Sequence, residues 1–257
     1  MPAPAFPTVA HEHAAEEITR FFAERAATEV VLLTNSCARG KATPDSCLDL
    51  LVLVEPGSPQ RDELEAEWER FEAGSDAVVE LAHAGRWSEV HLDVRDGTFA
   101  PGPIVDEGQL DWFEVVVGNA VRYSVPLFER NNRMARLRHE WLPFYDEALR
   151  DERLAAARSY CLETLDRIPW YLDRSLWFQA FDRLHCAFRG FLLGLHVAGR
   201  TYPISYDKWI HEQVVENLGL PELYVQLPGL FELRQLESRE LEARAGTLRA
   251  LTEAYLR

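Results

Sequence analysis

The sequence predicts an α+β protein, in which a mixed β-sheet with flanking helices is followed by an all-α helical bundle. Short apolar runs rich in β-branched residues are concentrated in the first half of the chain, and such runs are typical of buried strands. From about residue 132 onwards the chain is rich in Leu, Ala, Arg and Glu, which favours helices. We therefore expect an α/β domain at residues 1–131 and a helical domain at residues 132–257.

The composition is that of a globular protein that stays out of the membrane. Hydrophobic residues make up 47% and charged residues 27% of the 257 positions, which is enough apolar material for a core. No stretch approaches the roughly 20 uncharged apolar residues of a membrane helix. The first twenty residues carry His11, Glu12, Glu16 and Glu17 where a signal peptide needs an apolar run. We expect a cytoplasmic protein.

The charge balance argues against nucleic acid as a partner. Lys and Arg number 27 against 42 Asp and Glu, a net charge of −15, and a negative surface repels phosphate backbones. Six of the acidic residues crowd residues 62–72, which fits either a solvated helix face or a patch that attracts a cationic substrate. The four cysteines show no CxxC spacing, which favours free thiols over a disulfide framework.

In the first half of the chain, helical and strand-like patterns alternate. Helices are expected at 11–27, 60–74 and 109–117, and strands at 29–33, 48–54, 90–94 and 121–128. Residues 34–46 separate the first two strands and contain the turn formers Gly40 and Pro44. Because proline cannot donate a ladder hydrogen bond, Pro126 places the last strand at an edge of the sheet.

The second half is expected to be helical throughout. Helices are predicted near 133–149, 151–168, 174–198, 206–218 and 229–256. Their aromatic residues are expected to form the bundle core; these are Trp170, Tyr171, Trp177, Phe178, Phe181, Phe188 and Phe191. The acidic, Leu-rich segment Phe231–Leu256 is a candidate surface for a homodimer.

The segment from Leu32 to Leu50 carries the most specific pattern. Ser36 follows a strand, Gly40 comes four residues later, and Ser46 and Asp49 lead into the next strand. This layout resembles the nucleotidyltransferase superfamily, which includes the polymerase β-like and aminoglycoside nucleotidyltransferase-like enzymes. That family carries Gly-Ser, a later Gly, and Ser-Asp-x-Asp on the next strand. Asp49 matches the second aspartate of the pair, and Ser36, Gly40 and Ser46 match the small residues.

The resemblance implies Mg²⁺-dependent transfer of a nucleoside monophosphate from a triphosphate, expected to be ATP, to an unknown small-molecule or protein acceptor. Carboxylates two residues apart on a strand face the same side, so both can hold Mg²⁺. The ions stabilise charge that develops on the phosphates. On this resemblance Ser36, Arg39, Gly40 and Ser46 contact the nucleotide. Lys208, in the helical part, is a further candidate for phosphate contact.

Two departures from the family pattern concern the turn and the metal. Asn35 replaces the family's Gly, and Asn tolerates left-handed backbone angles better than most residues. Cys47 replaces the first aspartate of the metal pair, and a thiol is a soft ligand poorly matched to Mg²⁺. The expected catalytic and metal-binding residues are therefore Asp49 and Asp93, with Cys47 at the position of the missing aspartate.

Asp93 is the candidate for the family's third carboxylate because it lies in a later strand. Glu89 and His91 share its strand parity and are alternatives, and Asp45 is another carboxylate that would compensate for Cys47. Two functional hypotheses stay open. One is a Mg²⁺-dependent nucleotidyltransferase. The other is a pseudoenzyme, a catalytically degenerate relative that serves as a nucleotide-binding or antitoxin-like partner-binding module.

Overall fold

The computed structural model describes residues 4–106 and 109–257 and has the α+β architecture that the sequence predicts. The chain forms two compact units. Unit 1 comprises Met1–Ala100 and Asn119–Leu142, and unit 2 comprises Pro101–Gly118 and Pro143–Arg257. The segment 101–118 thus groups with the helical part of the chain, whereas the sequence placed it in the α/β domain.

Unit 1 is built on a four-stranded mixed sheet. Its strands are β1 (Thr28–Leu33), β2 (Leu48–Val54), β3 (Val90–Arg95) and β6 (Val125–Glu129). They lie in the order β3-β2-β1-β6, with β2 and β3 parallel and the other pairs antiparallel. Pro126 therefore lies in an edge strand, as predicted. Two further short strands, β4 (Val105–Asp106) and β5 (Gln109–Leu110), pair antiparallel in unit 2.

Five helices accompany the sheet in unit 1: α1 (Val9–Ala23), α2 (Asn35–Ala38), α3 (Arg61–Glu72), α4 (Asp76–Ala82) and α6 (Arg133–Trp141). Helix α4 was not predicted, although its start carries a capping signal. The Ser75 side chain accepts a hydrogen bond from the Val78 N–H. The last strand begins at Val125 and not at Val121, because residues 118–122 form a π-helical turn.

The core of unit 1 lies between the sheet and α1, α3 and α4. Every residue of β2 is buried, which explains why six of its seven residues are apolar, Asp49 being the exception. From α1, Ile18 and Phe22 are fully buried in this core, and Trp68 of α3 packs against the Phe22 ring. Burying a side chain of this size contributes about 1.5–3 kcal/mol. The core therefore holds β2 rigidly at the centre of the sheet.

Unit 2 is mainly helical. Its helices are α5 (Phe113–Val117), α7 (Glu147–Asp166), α8 (Ile168–Asp173), α9 (Trp177–Ala198), α10 (Pro221–Tyr224) and α11 (Glu240–Tyr255), with a π-helix at Glu212–Asn217 and a 3₁₀ turn at Pro228–Phe231. Helices α7, α8 and α11 all pack against α9. The helix expected over 109–117 is confined to α5, because residues 109 and 110 belong to β5.

The aromatic core expected in the second half is only partly present. Phe188 and Phe191 on α9 are buried, but the side chains of Trp170 and Phe178 are 54% and 76% exposed. The prediction was wrong for the last two because helical spacing alone does not show which end of a helix lies outside the bundle. Across residues 4–106 and 109–257, no helix combines the length and the apolar character that crossing a membrane requires.

A buried ion pair accounts for the place of segment 101–118 in unit 2. Arg153 of α7 donates from Nη2 to Glu114 Oε2 at 2.7 Å and from Nε to Glu114 Oε1. It also donates to the Gly102 carbonyl at 2.8 Å and to Asp111 at 3.2 Å. Glu114 is fully buried and Arg153 nearly so. If segment 101–118 moved away from α7, the Arg153 guanidinium would be left buried without its carboxylate partner, which is energetically costly.

Candidate functional site

The parallel pairing of β2 and β3 brings Cys47, Asp49 and His91 together. Asp49 is the register partner of His91, so their side chains leave the sheet at adjacent positions. Cys47 lies two residues before Asp49, just ahead of β2. The main chain here is well fixed, because the Thr34 N–H donates to the Asp49 carbonyl at 2.9 Å.

The three side chains contact one another through their polar atoms. Cys47 Sγ donates to Asp49 Oδ2 at 3.3 Å, and His91 Nδ1 lies 3.4 Å from Asp49 Oδ1. The donor atoms of all three residues lie within 4.8 Å of one another. On its other side, His91 Nε2 lies 3.1 Å from Glu89 Oε1. Among the residues that the structure describes, this is the one His/Cys/Asp/Glu group with metal-ligand spacing.

The electrostatics of the cluster keep its thiol protonated at neutral pH. Burial, together with the negative charge of Asp49, raises the pKa of Cys47 to about 11. The pKa of the neighbouring Cys37 is raised to about 12, chiefly by burial and secondly by Asp49. Cys37 Sγ donates to the Cys47 carbonyl at 3.6 Å. At neutral pH both thiols are therefore protonated and able to donate these hydrogen bonds.

Asp93, the expected third carboxylate, lies outside this cluster. It is aligned with Leu51, two residues further along β3 than His91. Its side chain is 66% exposed and accepts a hydrogen bond from Arg95 Nη2 at 3.1 Å. His91, which the sequence offered as an alternative, takes the place beside Asp49. Strand parity admits both residues, and only the register of β2 against β3 selects His91.

Two residues of the loop between β1 and β2 have left-handed backbone angles. Asn35 has a φ of 52° and Gly40 a φ of 66°, which confirms that Asn35 supports a left-handed turn. The Ser46 hydroxyl accepts from the Thr43 N–H at 2.9 Å and closes the turn before β2. Asp45 accepts from the Arg86 N–H at 2.9 Å, so its carboxylate holds a neighbouring loop.

The remaining predicted nucleotide contacts are divided between the two units. Ser36 and Arg39, on and just after α2, are half-buried in unit 1. Lys208 lies in unit 2, where its side chain is exposed and its carbonyl accepts from Gln213 Nε2 at 2.6 Å. Unit 1 alone therefore carries the strand-loop-strand motif with Ser36, Gly40 and Ser46.

The donor set does not fit Mg²⁺. This ion requires oxygen ligands in near-octahedral geometry, and the cluster offers one carboxylate, one protonated thiol and one imidazole. A two-metal mechanism needs carboxylates that bridge both ions, and Asp49 has no second carboxylate within the cluster. The cluster therefore does not support a Mg²⁺-dependent chemical step.

Among known proteins, a similarity is found with solved structures. No protein-family model matches the sequence, and no curated protein does. Among solved structures, the chain is similar to a nucleotidyltransferase-like protein from Exiguobacterium sibiricum, with 14% sequence identity and a TM-score of 0.47. That similarity covers 95% of this chain and 74% of the other.

Proposed function

We propose that this protein is a catalytically degenerate nucleotidyltransferase-type protein that binds a nucleoside triphosphate without Mg²⁺-dependent transfer. The observation that carries the proposal is the composition of the cluster, in which Cys47 and His91 flank a single carboxylate, Asp49. The resemblance of residues 32–50 to the superfamily motif supports the scaffold, and so does the left-handed turn at Asn35.

The loss of turnover follows from the chemistry of the ligands. In the enzymes that the motif resembles, carboxylates hold the ions that neutralise charge on the transferring phosphate. A thiol whose pKa is raised to about 11 stays neutral at pH 7. Because sulfur is a soft ligand, this thiol contributes little to the binding of Mg²⁺. Triphosphate binding relies instead on the loop between β1 and β2, where Ser36 and Arg39 are the proposed contacts. The acceptor site of an active enzyme has no role in this proposal.

A titration of ATP and GTP with and without Mg²⁺ tests the proposal. We expect the wild-type protein to bind with similar affinity in both conditions and to release no pyrophosphate. In the double variant Cys47→Asp/His91→Asp, carboxylates replace the thiol and the imidazole. We expect this variant to bind ATP more tightly with Mg²⁺, by about tenfold or about 1.4 kcal/mol. Asp93→Asn is the matched control, expected to change neither result because its carboxylate pairs with Arg95.

Two results would contradict the proposal. Mg²⁺-dependent pyrophosphate release by the wild type, abolished in Asp49→Asn, would establish the active nucleotidyltransferase that the sequence left open. Absence of triphosphate binding in both the wild type and the double variant would refute the nucleotide part. That result would favour the alternative hypothesis, an antitoxin-like module that binds a partner protein.

A further inference from the structure

We propose that Cys47, Asp49 and His91 form a binding site for a borderline transition-metal ion of the Zn²⁺ class, with one coordination position left open. The proposal goes beyond nucleotide binding and does not depend on it, since all three ligands belong to unit 1 and none is assigned to the triphosphate. It rests on the identity of the donors, their spacing, and the partner of His91.

The donor types select the class of ion. Cysteine sulfur, histidine nitrogen and aspartate oxygen are together the ligands of Zn²⁺, whereas Mg²⁺ and Ca²⁺ prefer oxygen alone. Cys47 as thiolate and Asp49 as carboxylate supply two negative charges, which balance a divalent cation. On binding, the Cys47 S–H bond is replaced by a sulfur–metal bond, and the proton passes to the solvent.

The spacing of the donors is close to that of a tetrahedral site. Zn–S bonds of about 2.3 Å and Zn–N or Zn–O bonds of about 2.1 Å put neighbouring ligand atoms about 3.4–3.6 Å apart at tetrahedral angles. Cys47 Sγ lies 3.3 Å from Asp49 Oδ2, and His91 Nδ1 lies 3.4 Å from the other oxygen of the same carboxylate, Oδ1. The largest separation among the three is at most 4.8 Å, so small side-chain rotations close the site.

The backbone holds this spacing before any ion arrives. Asp49 and His91 are register partners in adjacent parallel strands, and β2 is buried along its whole length. The Cys37 thiol donates to the Cys47 carbonyl at 3.6 Å, which anchors the residue that carries the sulfur ligand. A preorganised site of this kind loses little conformational entropy on binding.

Glu89 provides an independent indication of a metal site. Histidine ligands of zinc commonly donate their second ring N–H to a carboxylate, which orients the ring and raises its basicity. His91 has this arrangement, because Nδ1 faces Asp49 and Nε2 lies 3.1 Å from Glu89 Oε1. The ring is thus oriented with one nitrogen towards the cluster and the other towards a second carboxylate.

The site is open to solvent on the His91 side. The His91 side chain is 57% exposed, whereas Asp49 is 12% exposed. Three protein ligands with access from solvent are typical of zinc sites that keep a fourth position for water or a ligand oxygen, whereas structural zinc sites are closed by four ligands. The proposed ion therefore has a vacant position for a water molecule or an anionic oxygen.

The test is a Co²⁺ titration of the full-length protein after treatment with a chelator, without nucleotide. Co²⁺ reports directly on the sulfur ligand through thiolate-to-metal charge-transfer absorption, and Zn²⁺ added afterwards competes for the same site. We expect one equivalent of Co²⁺ per chain, displacement by one equivalent of Zn²⁺, and no displacement by millimolar Mg²⁺. Circular dichroism of each variant confirms that it is folded.

Variants separate the proposed site from adventitious binding. Cys47→Ser is expected to abolish the charge-transfer band, and His91→Asn to weaken binding by at least about a hundredfold. Glu89→Gln is expected to weaken it by about tenfold, in the range typical of outer-shell partners. The controls are Cys186→Ser and His13→Asn, which remove a half-buried thiol and an exposed imidazole elsewhere.

The outcomes decide the proposal in either direction. Stoichiometric binding that is lost in Cys47→Ser and His91→Asn but kept in both controls supports it. Absence of stoichiometric binding overturns it, as does binding that survives in Cys47→Ser and His91→Asn. Because the titration contains no nucleotide, failure here leaves the proposed triphosphate binding to its own experiment.

Discussion

Replacing Arg153 with methionine is expected to destabilise unit 2 by about 3–5 kcal/mol, the usual cost of removing one partner of a buried ion pair. The side chains of Arg153 and Glu114 are 3% and 0% exposed, so water cannot take the place of the guanidinium. In the variant, the Glu114 carboxylate keeps only the Tyr145 hydroxyl at 3.2 Å and the Tyr206 hydroxyl at 3.4 Å. A domain is stable by only about 5–15 kcal/mol in total, so this loss is a large fraction.

A second substitution tests whether the unpaired Glu114 carboxylate causes the loss of stability in Arg153→Met. Glu114→Gln removes the charge but keeps an oxygen that accepts from Tyr145. The double variant Arg153→Met/Glu114→Gln is therefore expected to be more stable than Arg153→Met alone, although it differs from the wild type at two buried positions. A simple loss of packing would give the opposite order, with the double variant the less stable.

Urea unfolding followed by tryptophan fluorescence measures the free energy, and amide hydrogen exchange of residues 101–118 reports on the segment that Arg153 holds. Arg249→Met is the matched control, because its ion pair with Asp166 is exposed and such pairs contribute about 0–1 kcal/mol. A loss of less than about 1 kcal/mol in Arg153→Met, or no recovery of stability on adding Glu114→Gln, would contradict the buried-charge explanation.

Three further predictions concern the thiols and the loop beside the candidate site. Burial and Asp49 raise the pKa of Cys47 to about 11, so Asp49→Asn should speed its alkylation by iodoacetamide at pH 8.5, measured by peptide mass spectrometry. Burial raises the pKa of Cys37 from 9.0 to about 12; the folded protein thus holds this proton more tightly, and the associated stability is complete below pH 9 and is lost as the pH rises towards 12. Cys37→Ala should therefore flatten the fall in melting temperature between about pH 9 and pH 11. At Gly85 an added Cβ would lie 2.1 Å from the Pro44 carbonyl oxygen, so Gly85→Ala should lower the free energy of unfolding by about 1–3 kcal/mol in urea.

Each of the three has a result that would contradict it. Equal alkylation rates in the wild type and Asp49→Asn would show that the carboxylate does not control the thiol. An unchanged alkaline slope in Cys37→Ala would remove Cys37 from the pH dependence. For the loop, Gly74→Ala is the control, since its Cβ meets nothing closer than 3.8 Å. Equal losses in the two alanine variants would mean that close approach to Pro44 is not what matters.

Much of the fold could be predicted because it depends on local sequence patterns. The largely apolar run of residues 48–54 predicted β2 with the bounds that the structure shows, and the missing N–H of Pro126 predicted an edge strand. Asn35 was recognised as able to take a left-handed turn, and its φ is 52°. Helix α4 was missed because its seven residues are too few to establish a helical period.

The amino-acid pattern alone predicted the α+β class, the four strands of the main sheet along the chain, and the strand-loop-strand motif with Cys47 in place of an aspartate. It also named Asp93, with Glu89 and His91 of the same strand parity as alternatives, as candidates to join Asp49. His91 could be identified only from the tertiary structure. The residue of β3 that lies beside Asp49 depends on the register of two strands that are joined by a long crossover. In the same way, the ion pair of Glu114 with Arg153 joins residues 39 positions apart. Side-chain periodicity is a local property, whereas contacts across the fold depend on how complete elements pack.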